Sequence, residues 1–152
     1  MLIVWNLTSA FSQAHPDWGM LFSVSMGLLA AILFFLSVLL HELAHSLVAK
    51  SQGIPVSDIT LFLFGGVSNI REEPKSPGSE FMMAVMGPVT SLVIGFLLLV
   101  LSGIGLRAEN LGDLNIMQFL KELGALRTIL VWIGSVNVIL GLFNLVPGFP
   151  LD

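Results

Sequence analysis

The chain has 152 residues, 55% of them apolar and only 11% charged, with a formal net charge of −4 and a mean hydropathy of +0.94. Soluble domains carry roughly 25% charged residues, so this composition excludes an ordinary water-soluble fold and places the chain in a bilayer. Its 6 Lys and Arg residues are scattered, which argues against nucleic acid as a partner; with 0 Cys, disulfides, thiolate metal ligands and a Cys nucleophile are excluded.

The opening "MLIVWNLTSAFSQAHPDW" is apolar but lacks the basic start of a signal peptide, and reads as the tail of a membrane segment or an interfacial stretch. Residues 18–49, 81–106 and 128–151 each reach the roughly 20 apolar residues that a crossing needs. Between them lie a hairpin or loop at 54–80 and a loop at 107–127. The expected fold is therefore an all-α polytopic membrane protein, residues 1–152 forming one membrane-embedded domain. It consists of a bundle of about three core transmembrane helices with a short membrane-associated β-hairpin. If each segment crosses once, the C-terminal ends of the first and third emerge on the same face. Lys50, Arg71 and Lys75 on one loop balance Arg107, Lys121 and Arg127 on the other, so charge gives no orientation.

The first segment ends in "SVLLHELAHSLVAK", residues 37–50. At about 100° per residue, His45 lies about 40° from His41 and Glu42 about 100° from it, so the three share one helix face. Two imidazoles one turn apart can hold one Zn²⁺, with Glu42 as general base beside the open position. Packing alone is a poor reason for these residues, because an ionised side chain at the centre of a membrane helix costs about 2.5–3.5 kcal/mol even on the lenient insertion scale. If Lys50 marks the interface, His45 lies about 7–8 Å and His41 about 13–14 Å inside it along the helix.

Next in the chain, "ITLFLFGGVSNI" is too short to span; its β-branched and aromatic residues around Gly65 and Gly66 predict a hairpin. In the second segment Gly87, Ser91 and Gly95 recur every four residues and read as helix packing, as does Pro88. In the third, Asn137 reads as an interhelical hydrogen-bond partner, whereas Asn144 could donate to a substrate carbonyl. Pro147 and Pro150 end regular helix just before Asp152.

Zinc held by His41 and His45 needs a third protein ligand. His15 stands at the opposite end of the first segment and reads as an interfacial residue. Asp152 emerges on the correct side and leads the candidates. Glu72, Glu73 and Glu80 share that side but sit in "REEPKSPGSE", a stretch that reads as solvated loop; Glu109, Asp113 and Glu122 fall on the far side.

"HELAH" at 41–45, "LFGGV" at 63–67, "MGP" at 86–88 and "NLVPGFPLD" at 144–152 together resemble the site-two proteases, zinc metalloproteases that cut substrates inside the membrane. The resemblance covers residues 18–152 and is closest to the prokaryotic branch that often carries CBS domains. It implies an endopeptidase acting on the transmembrane segments of membrane proteins, with His41, His45 and Asp152 as ligands of one zinc ion and Glu42 as base. Asn144, Gly65 and Gly66 would position substrate. It implies a multi-pass protein of a prokaryotic cell membrane, with the site near the cytosolic surface, and leaves the oligomeric state open. The family's aspartate is normally followed by Gly and further helices, so this chain is expected to be the core of a longer protein. One competing reading is an inactive pseudoprotease or zinc-binding membrane scaffold; another is a membrane zincin with a Glu as third ligand.

Overall fold

The computed structural model describes residues 2–54, 56–62, 65–70, 76–103 and 124–146, with side chains at 2–54, 76–103 and 124–146. Among them are helices α1 (Leu2–Ala14), α2 (Met20–Ser51), α3 (Pro77–Ser102) and α4 (Ala125–Asn144), and strands β1 (Val56–Phe62) and β2 (Gly65–Ile70). α2, α3 and α4 are each long and apolar enough to cross a membrane, and the chain is an integral membrane protein. The strands pair antiparallel, Phe62 opposite Gly65 and Val56 opposite Ile70, with a register irregularity between Val56 and Ile59.

Two helix boundaries differ from the sequence expectation. α3 begins at Pro77, not at Phe81, because Ser76 caps it: the Ser79 amide donates to Ser76 Oγ at 3.3 Å. Pro77, already lacking an amide hydrogen, occupies the first helical position. Glu80 falls in the first turn, where a carboxylate favours the helix dipole. Residues 76–80, the last of the stretch that looked like loop, form an N-terminal cap and first turn. α4 begins at Ala125 and ends at Asn144, ahead of the two prolines, which lie outside the described residues.

Contacts divide the chain into two compact units, Met1–Phe35 with Phe96–Ser135, and Leu36–Gly95 with Val136–Asp152. In the first, Leu7 and Phe11 of α1 bury against Met26, Ala30 and Ala31 of α2 and Ile129 and Ile133 of α4. A Cβ on Gly27 would stand 2.6 Å from Thr8 Oγ1 and 3.0 Å from the Thr8 amide nitrogen, so glycine is what lets α1 approach α2 this closely. His15 belongs to this unit and is buried: it is 1% exposed and stacks on Trp18 with ring centroids 3.9 Å apart. Its Nε2 lies 2.9 Å from Thr128 Oγ1. The Thr128 hydroxyl donates to the Gly124 carbonyl at 3.3 Å, so His15 Nε2 donates to the Thr128 oxygen. Burial pushes the His15 pKa below its ordinary value, partly opposed by Asp17.

In the second unit the end of α2 is fixed by a Schellman motif. The Ile54 amide donates to the Ala49 carbonyl and the Gly53 amide to Lys50, both at 3.0 Å, and Gly53 takes φ 79°, a conformation that favours glycine. The apolar contact that accompanies this motif is present: Ile54, 1% exposed, packs with Ala49 and with Met83 of α3. Gln52 and Ser79 add a reciprocal hydrogen-bonded tie between the end of α2 and the first turn of α3.

Candidate metal centre

The tie from Ala49 and Ile54 to Met83 sets α3 beside the last turns of α2, where "HELAH" lies. His41, Glu42 and His45 are 1%, 4% and 9% exposed. The two imidazoles meet edge to face with centroids 4.9 Å apart and their Nε2 atoms 3.2 Å apart. Two nitrogens on a tetrahedral zinc, each bonded at about 2.0–2.1 Å, stand about 3.3–3.4 Å apart, so the spacing of the pair is close to that of two ligands on one ion.

Both rings are held from behind by α3. His45 Nδ1 lies 2.7 Å from the Met83 carbonyl; a carbonyl only accepts, so Nδ1 carries the hydrogen and the neutral ring offers its Nε2 lone pair toward His41. His41 Nδ1 lies 2.8 Å from Ser91 Oγ. Gly87 sits against the His45 ring: a Cβ there would come 2.6 Å from both Cδ2 and Cε1 and closer still to Nε2. Gly87 and Ser91 are therefore not packing residues alone, as their spacing suggested, but form the wall on which the imidazoles rest. The usable signal was chemical: histidines that bind metal through one nitrogen need a partner for the other, and Thr90 and Ser91 are two hydroxyls in an otherwise apolar stretch.

α4 enters the unit through Gly141, where a Cβ would stand 2.8 Å from both the Pro88 carbonyl oxygen and Leu92 Cγ. This approach brings Asn144 to the site, with its Nδ2 3.4 Å from His41 Nε2 and its buried Oδ1 without a hydrogen-bond partner. Asn137 is fully buried. Glu80 is exposed on the first turn of α3. Gly65 and Gly66 lie in β2 opposite Phe62 and Leu61. Asp152, Glu72 and Glu73 lie outside the described residues, and among the described residues no group of three metal-ligating side chains converges. A groove of about 550 Å³ between α2 and α3 is lined by Leu40, Leu43, Leu47, Met86, Thr90 and Ile94; neither histidine borders it.

The sequence profile of peptidase family M50 matches residues 29–152. The chain is 42% identical to sll0528 of Synechocystis sp. over 84% of its own length and 30% of that protein's. It is 34% identical to Rip3 of Mycobacterium tuberculosis over 99% and 35%, and both names class these proteins as zinc metalloproteases. The fold is similar to the solved site-2 protease from Methanocaldococcus jannaschii, with a TM-score of 0.61 and 30% identity over 99% of this chain and 59% of that one. The chain belongs to peptidase family M50. It spans about a third of the length of the curated relatives it matches.

Proposed function

We propose that this chain is the catalytic core of a zinc-dependent endopeptidase that cuts membrane-spanning protein segments. The observation that carries the reading is the pair of Nε2 atoms 3.2 Å apart, on a helix apolar enough to cross a bilayer, with Glu42 buried beside them. His41 and His45 would hold the ion, with Asp152 as third ligand. Bound zinc supplies a Lewis acid that polarises the scissile carbonyl and acidifies water.

Glu42 takes the proton from the attacking water and passes it to the departing amide nitrogen. Asn144 Nδ2 donates to the substrate carbonyl, which places that carbonyl on the histidine side of α4. A membrane substrate arrives as a helix with its backbone bonds satisfied internally, so it must unwind before cleavage. Strands β1 and β2 would offer the unwound segment an edge to pair with, and Gly65 and Gly66 would let backbone approach backbone there. The setting is a prokaryotic cell membrane, with the centre near the cytosolic face.

The deciding experiment is Glu42→Gln assayed on a single-pass substrate in reconstituted vesicles, with zinc content measured in parallel. Cleavage is lost and zinc retained on this reading. Unchanged cleavage removes Glu42 from the chemistry, and zinc absent from the unmutated chain removes the metal.

A further inference from the structure

Like Thr128, which His15 Nε2 meets at 2.9 Å, Ser91 is a helical hydroxyl that meets an imidazole from outside its own helix. Thr90 bonds the Met86 carbonyl at 2.8 Å, Ser25 the Leu21 carbonyl at 2.9 Å and Ser102 the Leu99 carbonyl at 2.6 Å, each on its own helix, as such residues ordinarily do. Ser91, fully buried, instead reaches across to His41 Nδ1 at 2.8 Å. We infer that Ser91 is a positioning residue that holds His41 in the tautomer and ring orientation needed to bind metal, an inference resting on the zinc reading of His41 and His45.

The physical reason lies in the difference between the two anchors on α3. The Met83 carbonyl can only accept, so it locks His45 with hydrogen on Nδ1. If His41 were locked the same way without a metal, two Nε2 lone pairs would face each other at 3.2 Å with no hydrogen between them. A hydroxyl removes the conflict because it both donates and accepts. Without metal, Ser91 donates to His41 Nδ1 while His41 Nε2–H donates to His45 Nε2. With metal, His41 carries its hydrogen on Nδ1, Ser91 accepts it, and Nε2 is released to the ion; the ring neither gains nor loses a proton overall. One fixed anchor and one reversible anchor let the pair be satisfied in both states, which two carbonyls could not do.

The test is zinc affinity of the whole chain in detergent micelles, by competition with a chelating indicator, together with the visible spectrum of the Co²⁺-substituted protein. Ser91→Ala is expected to weaken zinc binding by about 10–100-fold, the usual loss on removing such a partner, and to shift the Co²⁺ bands. Ser91→Thr keeps the hydroxyl and restores both; Thr90→Ala changes neither. Wild-type affinity and spectrum in Ser91→Ala, alongside strong loss in His41→Ala, overturn the role of Ser91 and leave the zinc reading standing. Undiminished zinc affinity in His41→Ala overturns the zinc reading itself. If circular dichroism shows Ser91→Ala unfolded, the ¹⁵N shift of the His41 ring in the zinc-loaded wild type decides, and an unprotonated Nδ1 overturns the inference.

Discussion

Gly87 on α3 lies directly against the imidazole of His45 on α2, leaving no room for a side chain between them. Elsewhere in a helix, Gly→Ala stabilises by roughly 0.5–1 kcal/mol. Here the added methyl must displace a ring that is hydrogen-bonded to the Met83 carbonyl. Gly87→Ala is therefore expected to lower stability, since overpacking costs about 1–3 kcal/mol and outweighs that gain, and to lower zinc affinity at least about tenfold, the scale of lost ligand support. Thermal melts paired with chelator competition read the two effects separately, and unchanged zinc affinity contradicts the contact.

Gly53 closes α2 at φ 79°, and a Cβ in that conformation costs about 1–2 kcal/mol. Gly53→Ala should lower the unfolding temperature and carry a smaller loss of zinc affinity, because Ala49, Ile54 and Met83 form one cluster. Ile54→Ala, which empties a site 1% exposed, should cost about 2–5 kcal/mol. Chemical denaturation of both variants measures the order.

Asn144 reaches the site because Gly141 lets α4 approach Pro88 and Leu92. Asn144→Ala should leave zinc bound and reduce kcat by roughly 10²–10³, as loss of an oxyanion donor does. Gly141→Val should reproduce the kcat defect with every polar group intact. Zinc loss in Asn144→Ala would instead make Asn144 a metal-site residue.

His15 provides a pH signature independent of the metal. Its pKa is lowered on folding, chiefly by burial, so the unfolded chain binds the extra proton first. The corresponding stability is fully present above the ordinary histidine value of about 6.5 and is lost as pH falls through and below it. His15→Gln retains a donor for Thr128 and should flatten that part of the stability curve. The quantity to compare is the difference in unfolding temperature between wild type and variant from pH 8 to pH 5, since His41 and His45 are common to both.

The turn carrying His41, Glu42 and His45 stood out in the sequence as a candidate site because it combines a helical period with side chains that are costly in lipid. Its supports did not, because Ser91 and Gly87 act on residues some forty to fifty positions earlier, and sequence spacing within α3 reports only their common face. The start of α3 was misread because capping residues and loop residues are the same types: "SPGSE" is a cap only once Ser79 is seen to donate to Ser76. The burial of His15 was not legible for a related reason, since an imidazole beside Trp18 suits an exposed position as well as a buried stack. Gly53 was visible in "SQGI", but its φ and the burial of Ile54 were needed to make it a helix stop.

α2 runs for 32 residues, or about 48 Å, against a hydrocarbon layer of about 30 Å within a bilayer of about 40–45 Å. Some 21 residues separate Met20 from His41, about 32 Å, so the apolar part of the helix alone uses up the oily thickness. If Met20 marks one edge of the hydrocarbon, the histidine turn falls at the other, where hydrocarbon gives way to headgroups. Water reaches such a depth from the headgroup layer and needs no channel through lipid. On the proposed reading of the site, acyl-chain length then sets how wet the turn is.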